Sequence, residues 1–280
     1  MVTYVTKADG SEAPFDRKKI MRTCLRMGAS QTLAETIARD IESRAEDGIR
    51  TRKIMDMIFA LMAKDRPAAK HVISLRKALA LLKSKPDFEQ YVRALLERKG
   101  YTVSPNQIVT GKCVEHEVDG IIEKDGRTFL LEVKHHRNYR TTTGLDEVRI
   151  ARAVLEDVSE GVGPDASATR VDGIFLVCNT KFSDHARRYA DCRGIHYLGW
   201  SSSPDFDMAT FIGETRLYPV TYLKGLDIAT LKTLSSANII LLKQVVEMDF
   251  SELKKKTHLP QRNLSSLVKK AAAVLSETKS

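Results

Sequence analysis

The chain has few cysteines, a single tryptophan and no long hydrophobic run. Its four cysteines (Cys24, Cys113, Cys178 and Cys192) are far apart in the sequence, so their spacing indicates neither a disulfide framework nor a zinc site. No apolar run approaches the roughly 20 residues that a membrane helix requires. The N-terminus also lacks the pattern of a signal peptide. These absences predict a cytoplasmic protein that does not enter a membrane.

The composition is that of a globular protein, with 280 residues, of which 42% are hydrophobic and 29% charged. The net charge of +9 is unevenly distributed: residues 1–84 carry +7, residues 85–222 carry −3 and residues 223–280 carry +5. Basic segments attract polyphosphates, whether nucleotides or nucleic acids. A chain of 280 residues has room for two or three domains, and we expect three, at 1–84, 85–222 and 223–280. The charge of the first and third suits phosphate-bearing partners, and it could equally serve solubility.

Residues 116–134 predict two strands joined by a tight turn at Asp125-Gly126. With a two-residue loop, Asp119 lies directly opposite Glu132, and directly opposed residues share one face with Cβ atoms about 5 Å apart. Two carboxylates this close repel each other, and a nearby cation or a shared proton relieves the repulsion. One divalent cation could bind both. The hairpin therefore predicts a metal site.

The same register places Glu117 opposite Lys134, so an ammonium lies two residues from the carboxylates on one face. An amine in this position can stabilise a developing negative charge during phosphodiester hydrolysis. The alternative is a solvated sheet face with a salt bridge between Glu117 and Lys134. The strand Phe129–Lys134 is mostly apolar, as in a strand buried on both faces, where isolated charges are costly. This favours the metal site.

Several motifs between residues 86 and 220 resemble the PD-(D/E)xK nuclease superfamily, and most nearly its Mrr-like restriction endonucleases. The motifs are Phe88-Glu89, Leu95-Leu96 with Gly100-Tyr101, Glu117-Val118-Asp119-Gly120 and Leu131-Glu132-Val133-Lys134. The resemblance implies a mixed sheet flanked by helices that cleaves DNA with Mg²⁺ or Mn²⁺. By this resemblance Asp119 and Glu132 bind the metal, Lys134 is the catalytic lysine, and Glu89 completes the catalytic set.

The first 84 residues carry motifs that resemble the ATP-cone, a nucleotide-sensing domain. The motifs are Val5-Thr6-Lys7, Asp9-Gly10-Ser11, Phe15-Asp16, Lys19-Ile20 and Gly48-Ile49-Arg50-Thr51. The resemblance implies a largely helical domain that binds ATP or dATP as an effector. The residues that it assigns to the nucleotide are Val5, Lys7, Asp16, Lys19, Ile20 and Thr51. We expect binding without hydrolysis, because no glycine-rich loop of the P-loop type is present. The alternative is a small helical domain without a ligand.

The last 58 residues predict four short helices at 228–234, 239–246, 250–256 and 263–275. They resemble a degenerate pair of helix-hairpin-helix units, which implies contact with the DNA backbone. The basic residues that would make it are Lys254, Lys255, Lys256 and Arg262. The alternative is a helical bundle that packs on the nuclease domain or on a second subunit.

The expected fold class is therefore multi-domain α+β: a helical ATP-cone, a mixed-sheet α/β restriction-endonuclease-like core and a small all-α C-terminal domain. The expected function is Mg²⁺-dependent endonucleolytic cleavage of DNA, regulated by the adenine nucleotide. A homodimer or a nucleotide-dependent homo-oligomer is the expected assembly. The alternative function is a nucleotide-responsive DNA-binding regulator without nuclease activity, and an RNA substrate is not separated from DNA by the sequence.

Overall fold

The computed structural model describes residues 2–7, 10–161, 170–203 and 206–277. The chain forms two compact units, which are described separately below. The terminal unit combines Met1–Ile73 with Tyr222–Ser280, and the central unit is Ser74–Thr221. The three predicted domains are consecutive stretches of sequence, whereas the two units group residues that contact one another. The division into three domains stays a prediction.

The N-terminal part of the terminal unit is a small sheet with three helices. Its elements are β1 (Tyr4–Thr6), β2 (Glu12–Pro14), α1 (Arg17–Arg26), α2 (Gln31–Arg44), β3 (Ile49–Arg50) and α3 (Thr51–Asp65). Strand β1 lies between β2, which is antiparallel to it, and β3, which is parallel. The side chains of Asp16 and Ser30 cap α1 and α2 by accepting hydrogen bonds from backbone amides of the first turn. The helices pack through apolar side chains at helical spacing: Ile20, Cys24, Ile37, Ile41, Ile54 and Ile58.

The C-terminal part of the terminal unit is helical, as the sequence predicts. Its helices are α9 (Ile228–Ser236), α10 (Leu242–Glu247), α11 (Phe250–Thr257) and α12 (Gln261–Glu277), numbered after those of the central unit. Helix α12 packs on the N-terminal part, where a Glu277 oxygen accepts a hydrogen bond of 2.9 Å from the amide of Ala68. The segments that lead to and from the central unit also pair, because Ile73 donates its amide to the carbonyl of Tyr222 at 2.9 Å.

The central unit is built on a five-stranded mixed sheet in the order β10-β8-β6-β5-β4. Its elements are α4 (Leu75–Leu81), α5 (Glu89–Arg98), β4 (Thr102–Thr110), β5 (Glu115–Lys124), β6 (Arg127–Lys134), β7 (Thr142–Thr143), α6 (Leu145–Glu160), β8 (Gly173–Cys178), β9 (Lys181–Phe182), α7 (Asp184–Arg193), β10 (His196–Leu198) and α8 (Met208–Thr215). Strands β6, β8 and β10 are parallel, whereas β4 and β5 are antiparallel to their neighbours.

Helices α6 and α7 cover one face of this sheet. Leu130 on β6 and Leu176 on β8 pack there with Val148 and Ala151 of α6, and all four side chains are buried. On β8 every residue is buried, as expected for an interior strand that runs parallel to its neighbours. A layer of aromatic side chains that includes Tyr101, Phe175, Phe206 and Phe211 also packs within the unit.

The predicted fold class is confirmed, since the structure has a mixed-sheet α/β core and a helical C-terminal region. In the described ranges, no helix has both the length and the apolar character needed to cross a membrane.

Candidate active site

The hairpin of β5 and β6 forms with the predicted register. Lys124 pairs with Arg127, and the ladder continues to the pair Gly120 and Leu131. The two loop residues, Asp125 and Gly126, have φ angles of 52° and 73°. Positive φ at both positions defines the turn type that matches the twist of a two-residue hairpin. Asp119 and Glu132 are the next positions along this register, one residue beyond the end of the ladder.

The two strands separate at this point, and a side chain bridges them. The Oδ2 atom of Asp119 accepts a hydrogen bond of 2.7 Å from the amide of Val133. Strand β6 meanwhile continues its parallel pairing with β8 as far as Lys134 and Cys178. The Asp119 carboxylate therefore lies where β5 and β6 separate, and the backbone amide of Val133, next to Lys134, holds it there.

Lys134 contacts two carboxylates on the same side of the sheet. Its Nζ atom lies 2.8 Å from Oε1 of Glu132 and 3.6 Å from Oε2 of Glu147, which is in the first turn of α6. Glu117, by contrast, pairs with Ile108 of β4 in the ladder. The Lys134 amine is thus held by Glu132 of its own strand and by Glu147 of α6.

Glu89 lies at the start of α5 and is buried. Its Oε1 atom is 3.1 Å from Nζ of Lys85, and the same ammonium is 3.3 Å from Oδ1 of Asp119. Glu89 and Asp119 therefore converge on one cationic group. Lys85 and Glu147 are site residues that the sequence reasoning missed. Neither residue had a local signal. Lys85 lies before α5 with an extended backbone (φ −121°, ψ 137°), so the helical four-residue spacing rule does not apply to it, and nothing in the sequence places Glu147 beside Lys134.

The electrostatics of this site come from crowded and partly buried carboxylates. Burial raises the pKa of the Glu89 carboxyl, Lys85 opposes the change, and the charge of Asp119 adds to it. Burial also raises the pKa of Glu132, against the lowering effect of Lys134. Burial lowers the pKa of Lys134, but Glu132 and Glu147 outweigh it, so that this pKa lies above its usual value. An additional cation would stabilise the ionised carboxylates.

The carboxylates of this site are the kind of ligand that a hard divalent cation prefers, but among the described residues they form a pair rather than a group of three. Two carboxylates, Glu89 and Asp119, already point at one ammonium, and Mg²⁺ is commonly held by one or two carboxylates with water completing its coordination. Across the described part of the chain, no group of three or more His, Cys, Asp or Glu residues is arranged to hold a metal ion. The predicted pair of metal ligands, Asp119 and Glu132, stays a prediction.

The segment after Lys134 is fixed by a buried asparagine. The side chain of Asn179, which follows β8, accepts a hydrogen bond of 2.8 Å from the amide of His136 and donates one of 2.8 Å to its carbonyl. This exchange imitates the pairing of two strands and prolongs the contact between β6 and β8. The backbone on both sides of Lys134 is therefore held in place.

The residues assigned to the nucleotide lie in the terminal unit. Val5 and Ile20 are buried in its core, Thr51 begins α3, and Lys7 is exposed. Asp16 and Lys19 meet at the start of α1, where an Asp16 oxygen accepts a hydrogen bond of 3.2 Å from the Lys19 amide. Val5 and Ala13 are partners across the strand pair. Asp9 of the ATP-cone motif lies outside the described residues.

The residues assigned to DNA lie on two consecutive helices of the same unit. Lys254, Lys255 and Lys256 form the exposed C-terminal turn of α11, and Arg262 is exposed in the first turn of α12. Lys256 also forms an ion pair of 2.9 Å with Glu252. The four basic side chains are therefore accessible to solvent, and their role stays a prediction.

Comparison with known protein families follows the same order along the chain. Residues 3–79 match the ATP cone domain, residues 82–198 match a restriction endonuclease domain, and residues 218–275 match the family described as AF1548-like, C-terminal. The first two matches confirm both resemblances. The third covers the C-terminal helices, whose resemblance to helix-hairpin-helix units stays a prediction.

Two uncharacterized proteins of Archaeoglobus fulgidus are similar to this chain. One is 32% identical over 185 residues, which are 66% of this chain and 96% of the relative. The other is 50% identical over 38 residues, which are 14% of this chain and 81% of the relative. A crystal structure of the protein of unknown function AF1548 is also similar, with a TM-score of 0.55 and 28% identity over 72% of this chain and 99% of that one.

These matches define a fusion of an ATP cone with a restriction-endonuclease-like domain. The chain belongs to the same family as the first of the archaeal relatives, whose sequence it covers almost completely.

Proposed function

We propose that this protein is a divalent-metal-dependent endonuclease that hydrolyses phosphodiester bonds in DNA. The observation that carries the proposal is the cluster at the open end of the β5–β6 hairpin. There Asp119 and Glu89 share one cationic contact, and Lys134 lies 2.8 Å from Glu132. The match of this unit to a restriction endonuclease domain supports the same chemistry.

Each residue of the cluster has a role that follows from its position. Asp119 and Glu132 would hold Mg²⁺ or Mn²⁺, which supplies Lewis-acid stabilisation of the phosphate charge when bound. Lys134, held beside Glu132 and Glu147, orients the attacking water and stabilises negative charge that develops on the phosphoryl oxygens. Glu89 adds negative charge beside Asp119 and so strengthens the attraction for a cation.

The nucleotide is proposed as an effector rather than a substrate. The match to the ATP cone domain supports ATP or dATP as the ligand. Lys19 and the other basic residues at the start of α1 suit its phosphates, because a helix N-terminus favours negative charge. A change of oligomeric state, with cleavage by a homodimer, is the regulatory mechanism that we propose.

The test is cleavage of a supercoiled plasmid in the presence of Mg²⁺. We expect wild-type protein to nick or linearise the plasmid and Asp119→Ala to lose at least about a hundredfold in rate, as when a group that stabilises the transition state is removed. The matched control is Glu123→Ala, which removes an exposed carboxylate from the same strand. Equal cleavage by wild type and Asp119→Ala would remove the proposed mechanism.

A nucleotide-responsive DNA-binding regulator without nuclease activity is the second candidate. The contacts of Lys85 favour this second candidate, because its ammonium already neutralises part of the charge of Glu89 and Asp119 without a metal ion. A regulator would bind DNA with an affinity that falls steeply with salt, and it would leave the DNA intact with Mg²⁺ or Mn²⁺ present.

A further inference from the structure

Lys85 reaches into the acidic cluster from the solvent. Its side chain is 66% exposed, whereas the side chains of Glu89 and Asp119 that it contacts are 8% and 12% exposed. A lysine stem is flexible and its ammonium is strongly hydrated in water. The ammonium can therefore leave the cluster without moving any buried group.

The position of the ammonium is one that a metal ion would also favour. It lies 3.1 Å from Glu89 and 3.3 Å from Asp119, so that it relieves the repulsion between two carboxylates. A divalent cation bound to Asp119 relieves the same repulsion with twice the charge. The ammonium and the metal ion are both positive and repel each other. Binding of one beside Asp119 therefore disfavours binding of the other.

We propose that Lys85 is an internal competitor of the divalent metal ion, which must displace the ammonium from Asp119 before it can bind. This inference rests on the proposed function, because Asp119, which Lys85 contacts, is one of the two proposed metal ligands. Lys85 would therefore weaken metal binding, so that a higher metal concentration is needed to occupy the site. The carboxylates remain paired and ordered when no metal is bound.

Removal of the ammonium should therefore tighten metal binding. The experiment measures Mn²⁺ binding to the full-length protein without DNA, from the electron paramagnetic resonance signal of free Mn²⁺. We expect Lys85→Met to bind Mn²⁺ about tenfold more tightly than wild type, the lower end of the effect of a neighbouring charge on a carboxylate. Lys85→Arg retains the charge and should remain near the wild-type affinity.

The matched control is Lys83→Met, which removes an exposed charge two residues away and should change the affinity less than twofold. If Lys85→Met bound Mn²⁺ no more tightly than wild type, the competitor role of Lys85 would be wrong. The nuclease proposal would remain intact in that case provided that Asp119→Ala lost Mn²⁺ binding. If neither wild type nor any variant bound Mn²⁺, both the competitor role and the metal-dependent function would be wrong. Thermal unfolding of each variant verifies that it is folded.

Discussion

Asp157 is a single side chain that joins the end of α6 to the connection between β4 and β5. Its carboxylate accepts hydrogen bonds of 2.9 Å from the amide of Cys113 and 3.3 Å from that of Val114, and it lies 2.8 Å from Nε2 of His116. The contact with His116 is the main cause that lowers the pKa of Asp157 from 3.8 to about 2. The ionised form is thus the one that the fold prefers.

This lowered pKa predicts how acid affects the central unit. Because the pKa of Asp157 is lower in the folded state than in the unfolded state, its stabilisation is complete above about pH 4 and is lost as the pH falls toward 2. Asp157→Asn should lower the melting temperature at pH 7 by a few degrees and lose less stability than wild type between pH 4 and 2.

Thermal unfolding followed by circular dichroism across this pH range is the measurement. The control is Asp146→Asn in the first turn of α6, where the carboxylate is 88% exposed. The prediction is wrong if the two variants have the same melting temperature and the same response to acid.

At the scale of elements, the turn of the β5–β6 hairpin determines which side chains meet in the site. Gly126 has a φ of 73°, a conformation that is costly for a residue with a Cβ atom, although an added Cβ would contact no other atom. Gly126→Ala should therefore destabilise the protein by about 1 kcal/mol through backbone strain alone. Denaturant unfolding gives this free energy.

The matched control is Gly213→Ala within α8, where an added Cβ also meets no atom and φ is not positive. This change should stabilise the protein by about 0.5–1 kcal/mol, because alanine favours a helix interior over glycine. If Gly126→Ala were as stable as Gly213→Ala, the turn would not impose the strain that we infer.

The hairpin also shows which parts of the site could be predicted from sequence. A two-residue turn fixes the register, and a slip of one residue would move every side chain to the other face, so Asp125-Gly126 was enough to predict the ladder from Lys124 and Arg127 to Gly120 and Leu131, which ends one residue short of Asp119 and Glu132. Lys85 and Glu147 were missed, because their contacts depend on how α5 and α6 pack on the sheet. Such packing is decided by the whole core and leaves no local signal at either residue.

At the scale of the whole molecule, both ends of the chain fold into one unit. Helix α12 contacts the N-terminal part of the unit. There the carboxylate of Glu277 accepts a hydrogen bond from the amide of Ala68, and its Oε2 atom lies 3.9 Å from Nε of Arg66. The predicted boundaries at residues 84 and 222 were drawn from charge and motif, and neither signal reports that distant segments pack together. This packing places the proposed nucleotide site and the C-terminal helices in the same compact unit.

The most direct measurement is the rate of plasmid cleavage over a matrix of metal ions and nucleotides. We expect cleavage with Mg²⁺ or Mn²⁺, none with a chelator, and a rate that changes when ATP or dATP is added. DNA that is bound but stays intact under every combination would contradict the nuclease and favour the regulator. Cleavage that persists in the chelator would contradict the role of Asp119 and Glu132 as metal ligands.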